Sequence, residues 1–286
     1  MSDAGSSAIE AQSAGPAISQ SLCSACGICL AVCPQAILEV GQNDKKPIVN
    51  EQTRKRCIAC GQCEAFCPEN AVTVTGPTLR GSAAVDLDQS LTESQIRSVF
   101  MRRRSIRNFK AQPVAKEVFE KLIDIVQYAP SAVNRQPLSW SVLLSKDKVR
   151  EAAQGTIDFT RSMLESKSVL AAQLNFVGLI KSWEQGKDPI CRNAPSLVVA
   201  HAPKTDRMAV ADGAIALAHL ELAASAMGLG ACWAGYLNIA AGTSPTVKEA
   251  LGIPEDHSCL GALMIGYPQF KMARIPKRKA PTISWH

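Results

Sequence analysis

The spacing of apolar and polar positions changes several times along the chain, and each change marks an element. Thr92 and Gln95 have capping-box spacing ahead of an apolar-periodic stretch that ends in Arg102-Arg103-Arg104, which predicts a helix from Glu93 to Arg102. Val118, Leu122, Ile125 and Val126 keep the helical period through a second helix that stops near Pro130. Leu138 to Leu144 then reads as a strand, Asp147 to Lys187 as mostly helical, and Ser196 to His201 as a short apolar strand. Val210 to Met227, stopped by Gly228, is apolar on nearly all sides and rich in alanine, which predicts a helix at the centre or at a subunit interface. Ala231 to Leu237 and Cys259 to Tyr267 read as two further strands, with a helix between them that starts at Ser244-Pro245. Helices and strands mixed in this order predict an α+β fold.

The segment ahead of Leu91 has a different texture. Two similar halves, each a cysteine cluster followed by a β-prone run, place Ala36-Ile37-Leu38-Glu39-Val40 against Ala71-Val72-Thr73-Val74-Thr75 and predict a small duplicated α+β module. Turn residues at Gly76-Pro77 and Gly81-Ser82-Ala83-Ala84 separate it from the helical stretch downstream. The expected organisation is therefore a disordered leader at 1–20, a small module at 21–77, a linker at 78–90 and a larger domain at 91–286.

Composition changes this picture little. Apolar residues make up 47% and charged residues 20%, an ordinary globular balance. A net charge of +6 is scattered or held in short clusters, so no nucleic-acid partner is expected. Asp212, His219 and Glu221 interrupt the longest apolar stretch and would be costly in lipid, so no membrane span is expected. The Ser/Ala/Gly-rich start has no basic opening and no apolar run, and most of the eleven cysteines are spaced for metal, which predicts a cytoplasmic protein.

Those cysteines carry the strongest chemistry. Cys23, Cys26, Cys29 and Cys33-Pro34 form CxxCxxCxxxCP, and Cys57, Cys60, Cys63 and Cys67-Pro68 repeat it without a departure. A tight CxxCxxC loop wraps three thiolates around one face of an iron–sulfur cubane, while the fourth cysteine reaches the other cluster. The predicted sets are Cys23, Cys26, Cys29 and Cys67 for one [4Fe-4S] cluster and Cys57, Cys60, Cys63 and Cys33 for a second. Zinc, with four ligands, would leave the third cysteine of each tight loop without a clear role. The module resembles the bacterial two-cluster ferredoxins nearly end to end, which implies one-electron transfer at low potential. Cys191, Cys232 and Cys259 have no ligand spacing and read as small core residues.

The larger domain carries four weaker signals that gain weight together. Arg102-Arg103-Arg104-Ser105-Ile106-Arg107 places guanidinium groups and a hydroxyl just past a helix, suited to gripping phosphate. Ala129-Pro130-Ser131-Ala132-Val133-Asn134-Arg135-Gln136-Pro137 is a donor-rich loop, Gly228 to Tyr236 offers small residues for close backbone approach, and Pro276-Lys277-Arg278-Lys279 is a second basic cluster. In this order and at these separations they resemble the FMN-dependent nitroreductase family. That resemblance implies a mostly antiparallel central sheet flanked by helices and a homodimer. It implies that Arg103, Ser105 and Arg107, with Arg104 alongside, hold the FMN phosphate. It further implies that Pro130, Ser131, Asn134 and Gln136 reach flavin across the dimer, that Ala234 and Gly235 lie against the isoalloxazine with a backbone amide at N5, and that Lys277 and Lys279 close over phosphate and ring carbonyls. One departure is Leu138-Ser139-Trp140, where many relatives carry the tryptophan directly after the proline.

The expected activity is an FMN- and iron–sulfur-dependent oxidoreductase that takes electrons from a low-potential donor, ferredoxin-like or another reductase, and reduces an electron-poor small molecule such as a nitro compound or quinone. Two rivals share these residues: an electron-transfer protein serving a partner protein, and a reductive dehalogenase or ene reductase on the same scaffold. No strand-linked GxGxxG supports dinucleotide binding, and no acid–base pair stands out.

Overall fold

The computed structural model describes residues 15–76, 90–168, 171 and 173–286. The chain divides into two compact units, residues 1–89 with Val133–Arg135, and residues 90–132 with 136–286. The expected linker at 78–90 lies outside the described residues except for Ser90.

In the first unit, β1 (Gly15–Ile18) pairs antiparallel with β4 (Val72–Thr75), and β2 (Leu38–Val40) pairs with β3 (Pro47–Val49). Gly15–Ile18 falls inside the stretch read from sequence as leader, so the module begins earlier than its composition suggests; the pairing with Val72–Thr75 is a long-range contact that local composition does not encode. The short helices α1 (Ile28–Val32) and α2 (Gln62–Ala65) each start from a glycine in left-handed conformation, Gly27 at φ 75° and Gly61 at φ 72°. The duplication extends to the backbone of other residues, because Ala25 and Ala59, and Ala36 and Asn70, also pair up at positive φ. Each such alanine costs about 1–2 kcal/mol, which an unconstrained loop would avoid. Ile37, Leu38 and Val72 form a small core with the buried Cys29 and Cys63.

The second unit is built on a four-stranded sheet in the order β5-β6-β8-β7, formed by β5 (Ser139–Leu143), β6 (Ser196–Pro203), β7 (Gly230–Trp233) and β8 (His257–Gly266). All three pairings are antiparallel. Side chains alternate between faces along each strand, so Leu197 and Val199 enter one core while Val198 and Ala200 enter the other. The first core is completed by α5 (Lys146–Glu165), α6 (Phe176–Glu184), α8 (Gly235–Thr243) and α9 (Pro245–Ala250). The second is completed by α4 (Lys116–Val126) and α7 (Ala209–Ala226). With helices on both faces, β6 is buried from Ser196 to Ala202, which explains the apolar run Leu197 to Ala200 at its centre.

Most elements fall where the hydrophobic period places them. The exception is Ala231 to Leu237, read as one strand: the strand ends at Trp233 and α8 starts at Gly235. A short apolar run fits either period, and the decision here comes from packing, because helical geometry buries Leu237, Ala240 and Ala241 together. Helix α7 is long and apolar enough by composition to cross a membrane. In this structure its buried face packs on α4 and β8 instead.

Candidate functional site

In the first unit the eight cysteines ring two small cavities. One is lined by Cys23, Cys26, Cys29 and Cys67, the other by Cys57, Cys60, Cys63 and Cys33, the sets expected from spacing. The exchange of the fourth cysteine follows from the local fold, since Cys33 ends α1 and Cys67 lies just past α2, each pointed away from its own loop. Apolar side chains contribute to the lining, Ile28 and Val72 in one cavity and Ile37 and Val74 in the other. Burial pushes the Cys63 thiol up to about 11, and repulsion from Cys33, Cys60 and Cys57 adds to it. Cys29 is raised in the same way, by burial first and then by Cys23 and Cys26. Bound iron reverses this preference, because a cation stabilises the thiolates that burial disfavours. Backbone N–H groups of Ala25 and Ala71 donate to the sulfurs of Cys23 and Cys67 at 3.4 and 3.2 Å. Sulfurs around one zinc would stand about 3.8 Å apart, and among the described residues no three His, Cys, Asp or Glu side chains come together closely enough for a single ion. A ring around a cavity suits a cubane.

In the second unit, α3 (Glu93–Arg102) opens with a complete capping box: the Gln95 N–H donates to Thr92 Oγ1 at 3.3 Å and the Thr92 N–H to Gln95 Oε1 at 2.8 Å. Past its end the chain runs along β7, where Ser105 bridges to Ala231 and the Ile106 N–H donates to the Ala231 carbonyl at 2.9 Å. Gly230 has to lack a side chain here, since a Cβ would lie 2.7 Å from Ile106. This stitch brings Ser105 and Arg107 to Cys232. Burial raises the Cys232 thiol, and Arg107 and a Ser105 hydrogen bond oppose the rise.

Two adjacent arginines of the run part company. Arg103 turns to Glu221 on α7, with Nη1 3.5 Å from Oε1. Arg104 instead lines an open cleft with Arg97, Phe100, Met101, Ile275, Pro276 and Arg278. The C-terminal basic segment thus reaches α3 through Arg278, which the sequence left aside, while Lys277 and Lys279 are exposed.

At the shelf, the Trp233 indole N–H donates to Glu221 Oε2 at 3.2 Å. Ala234 is buried, and its N–H is used by the Ala262 carbonyl at 2.9 Å. The amides of the first turn of α8, beginning at Gly235, have no intrahelical acceptor. A Cβ on Gly235 would meet nothing within 4 Å, so there is open space beside it. In the donor-rich loop, the Gln136 N–H donates to Ser131 Oγ at 3.0 Å, and the Ala132 N–H donates to Asp212 Oδ1 at 3.1 Å. Pro130 is exposed at the start of this loop. Asn134 groups with the first unit, where its side-chain amide donates to the carbonyls of Ile58 and Ala59 at 3.2 and 2.9 Å. Asp212 and Glu221 were visible in the sequence only as charges interrupting an apolar helix; both are buried.

Comparison with known proteins finds relatives of both units. The profile of the 4Fe-4S dicluster domain matches residues 22–72. Among curated proteins, 5,6-dimethylbenzimidazole synthase of Rhodospirillum rubrum is 30% identical over 184 residues, covering 60% of this chain and 81% of that protein. The FMN reductase (NAD(P)H) of Bacillus subtilis is 27% identical over 178 residues, 61% of this chain and 66% of that protein. Among solved structures, a nitroreductase with bound FMN from Bacteroides fragilis has a TM-score of 0.55 at 22% identity, covering 66% of this chain and 97% of its own. The nitroreductase profile itself matches residues 100–267, more than half of the sequence, and the chain belongs to the nitroreductase family.

Proposed function

We propose that this protein is an oxidoreductase that receives electrons from a low-potential donor protein through two [4Fe-4S] clusters, passes them to FMN, and reduces an electron-poor small molecule such as a nitro compound or quinone. The observation that carries this reading is the pair of four-cysteine cavities in a chain whose second unit is of the nitroreductase family. When bound, the clusters supply single electrons and the flavin gathers them into pairs for delivery. The chain's own residues bind and orient. The two cysteine sets would hold the clusters in apolar surroundings. Ser105 and Arg107, with Arg103 nearby, would hold the flavin phosphate through charge-assisted hydrogen bonds. Gly235 leaves room for a flat ring and presents the first amide of α8 to it. FMN in solved relatives and in the name of the B. subtilis reductase supports the choice of flavin. A homodimer is supported by the apolar exposed positions of α7, Val210 and Ile215, and by the family.

Anaerobic purification with iron, sulfide and flavin analysis tests the proposal, followed by reductive titration monitored by EPR and visible absorbance. About eight irons and one FMN per chain are expected, with cluster signals reoxidised as flavin bleaches and flavin reoxidised by nitroaromatic or quinone. Full turnover with NADPH alone after removal of the clusters would defeat the proposed route.

A further inference from the structure

Glu221 is costly to bury. It sits on α7 at 8% exposure, and a carboxylate out of water costs several kcal/mol unless it is compensated. Its compensation is divided. Oε2 accepts the Trp233 indole N–H at 3.2 Å, while Oε1 stands 3.5 Å from Arg103 Nη1 and accepts no hydrogen bond. The hold on Arg103 is therefore Coulombic, and the guanidinium donors are not taken up by the carboxylate. The indole in turn fixes the carboxylate, because the Trp233 ring is wedged against Gly261, where a Cβ would come within 2.7 Å of it. A free arginine loses rotamer entropy when it is immobilised, and a fixed anion beside it offsets that loss in advance.

From this geometry we infer that Glu221 is a positioning residue: it holds Arg103 oriented with its donors available, so that a flavin phosphate meets a preorganised guanidinium in register with the Trp233-Ala234-Gly235 shelf. This role rests on the proposed flavin site and acts through Arg103 alone.

Flavin fluorescence titrations of the purified full chain, freed of flavin, test it with FMN and with riboflavin, which lacks the phosphate. Four proteins are compared: the native chain, Glu221→Gln, Arg103→Ala and the double variant. The glutamine side chain would keep an oxygen for the indole and put an uncharged amide NH2 where Oε1 faced Arg103. The substitution is expected to weaken FMN about tenfold, the scale of one charge-assisted contact, and to leave riboflavin unchanged. In the Arg103→Ala background it is expected to change nothing further. Unchanged or tighter FMN binding by Glu221→Gln overturns the inference, the latter because Glu221 would then be a competitor for Arg103. Equal weakening of both flavins overturns it as a general packing effect, and additivity with Arg103→Ala overturns it as well. If the native chain binds no FMN, or Arg103→Ala costs nothing, the flavin site itself is misassigned and the inference falls with it, a result distinct from failure of Glu221→Gln alone.

Discussion

At one end of the central sheet three side chains form a hydrogen-bonded row whose proton positions follow from one carbonyl. Ser141 Oγ donates to the Gly252 carbonyl at 3.1 Å, so it must accept from His201 Nε2, 3.3 Å away. Neutral His201 then has its lone pair on Nδ1, which accepts from His257 Nδ1 at 2.9 Å. A proton added to His201 at Nδ1 would face the His257 N–H. Burial lowers the His201 pKa from its usual value, and the neighbouring His257 and Lys248 charges lower it further. The sign for stability follows directly. As pH falls below about 6.5 the unfolded chain takes up a proton that the folded His201 still refuses. Folding stability is thus lost downward from about 6.5 until the folded pKa is reached, where the loss stops. Chemical denaturation at about pH 7.5 and about pH 5.5, on either side of the usual histidine value, is expected to show a larger drop for the native chain than for His201→Gln; equal drops would mean that the row does not resist protonation. None of this was legible from four scattered histidines, because a pairing between β6 and β8 brings two of them together.

At the scale of elements, β8 is read correctly from its apolar run, yet its irregularity is not. The β6–β8 register shifts between Ala200 and His201, and Gly261 beside the shift takes φ 156°. A Cβ there would come to 2.5 Å from Leu217 of α7 and 2.7 Å from the Trp233 ring. Gly261→Ala is therefore expected to destabilise the second unit by about 1–3 kcal/mol, the usual cost of overpacking, and to displace the indole that anchors Glu221. Thermal unfolding read alongside tryptophan fluorescence checks both effects; an unchanged midpoint would show that the sheet relaxes around the methyl group. Helix α7 shows the same division between legible and hidden. Its apolar, alanine-rich sequence announces a central helix, but not that its two buried carboxylates serve different segments, Asp212 the loop through the Ala132 N–H and Glu221 the arginine and tryptophan.

At the scale of the whole molecule, the first unit joins its two halves by exchanging Cys33 and Cys67. That exchange makes a double-substitution test informative. Cys33→Ser with Cys57→Ser removes two ligands from the same cavity and is expected to leave about four irons per chain. Cys23→Ser with Cys33→Ser damages both cavities and is expected to leave almost none. The opposite ranking in an anaerobic iron assay would mean that each motif binds a cluster with its own fourth cysteine.

The sequence by itself determined the cysteine sets, the four segments of the family layout and nearly every helix and strand of the second unit. These depend on local spacing, in which thiols at every third position or an apolar residue every third or fourth position have few alternatives. Tertiary structure decided what rests on distant neighbours. It paired Gly15–Ile18 with Val72–Thr75, made Gly235–Leu237, read as the end of a strand, the start of a helix, and sent Arg103 to Glu221 while Arg104 joined Arg97 and Arg278. Adjacent arginines are equivalent in a sequence; only the packed surroundings, one with a buried carboxylate within reach and the other without, give them different partners.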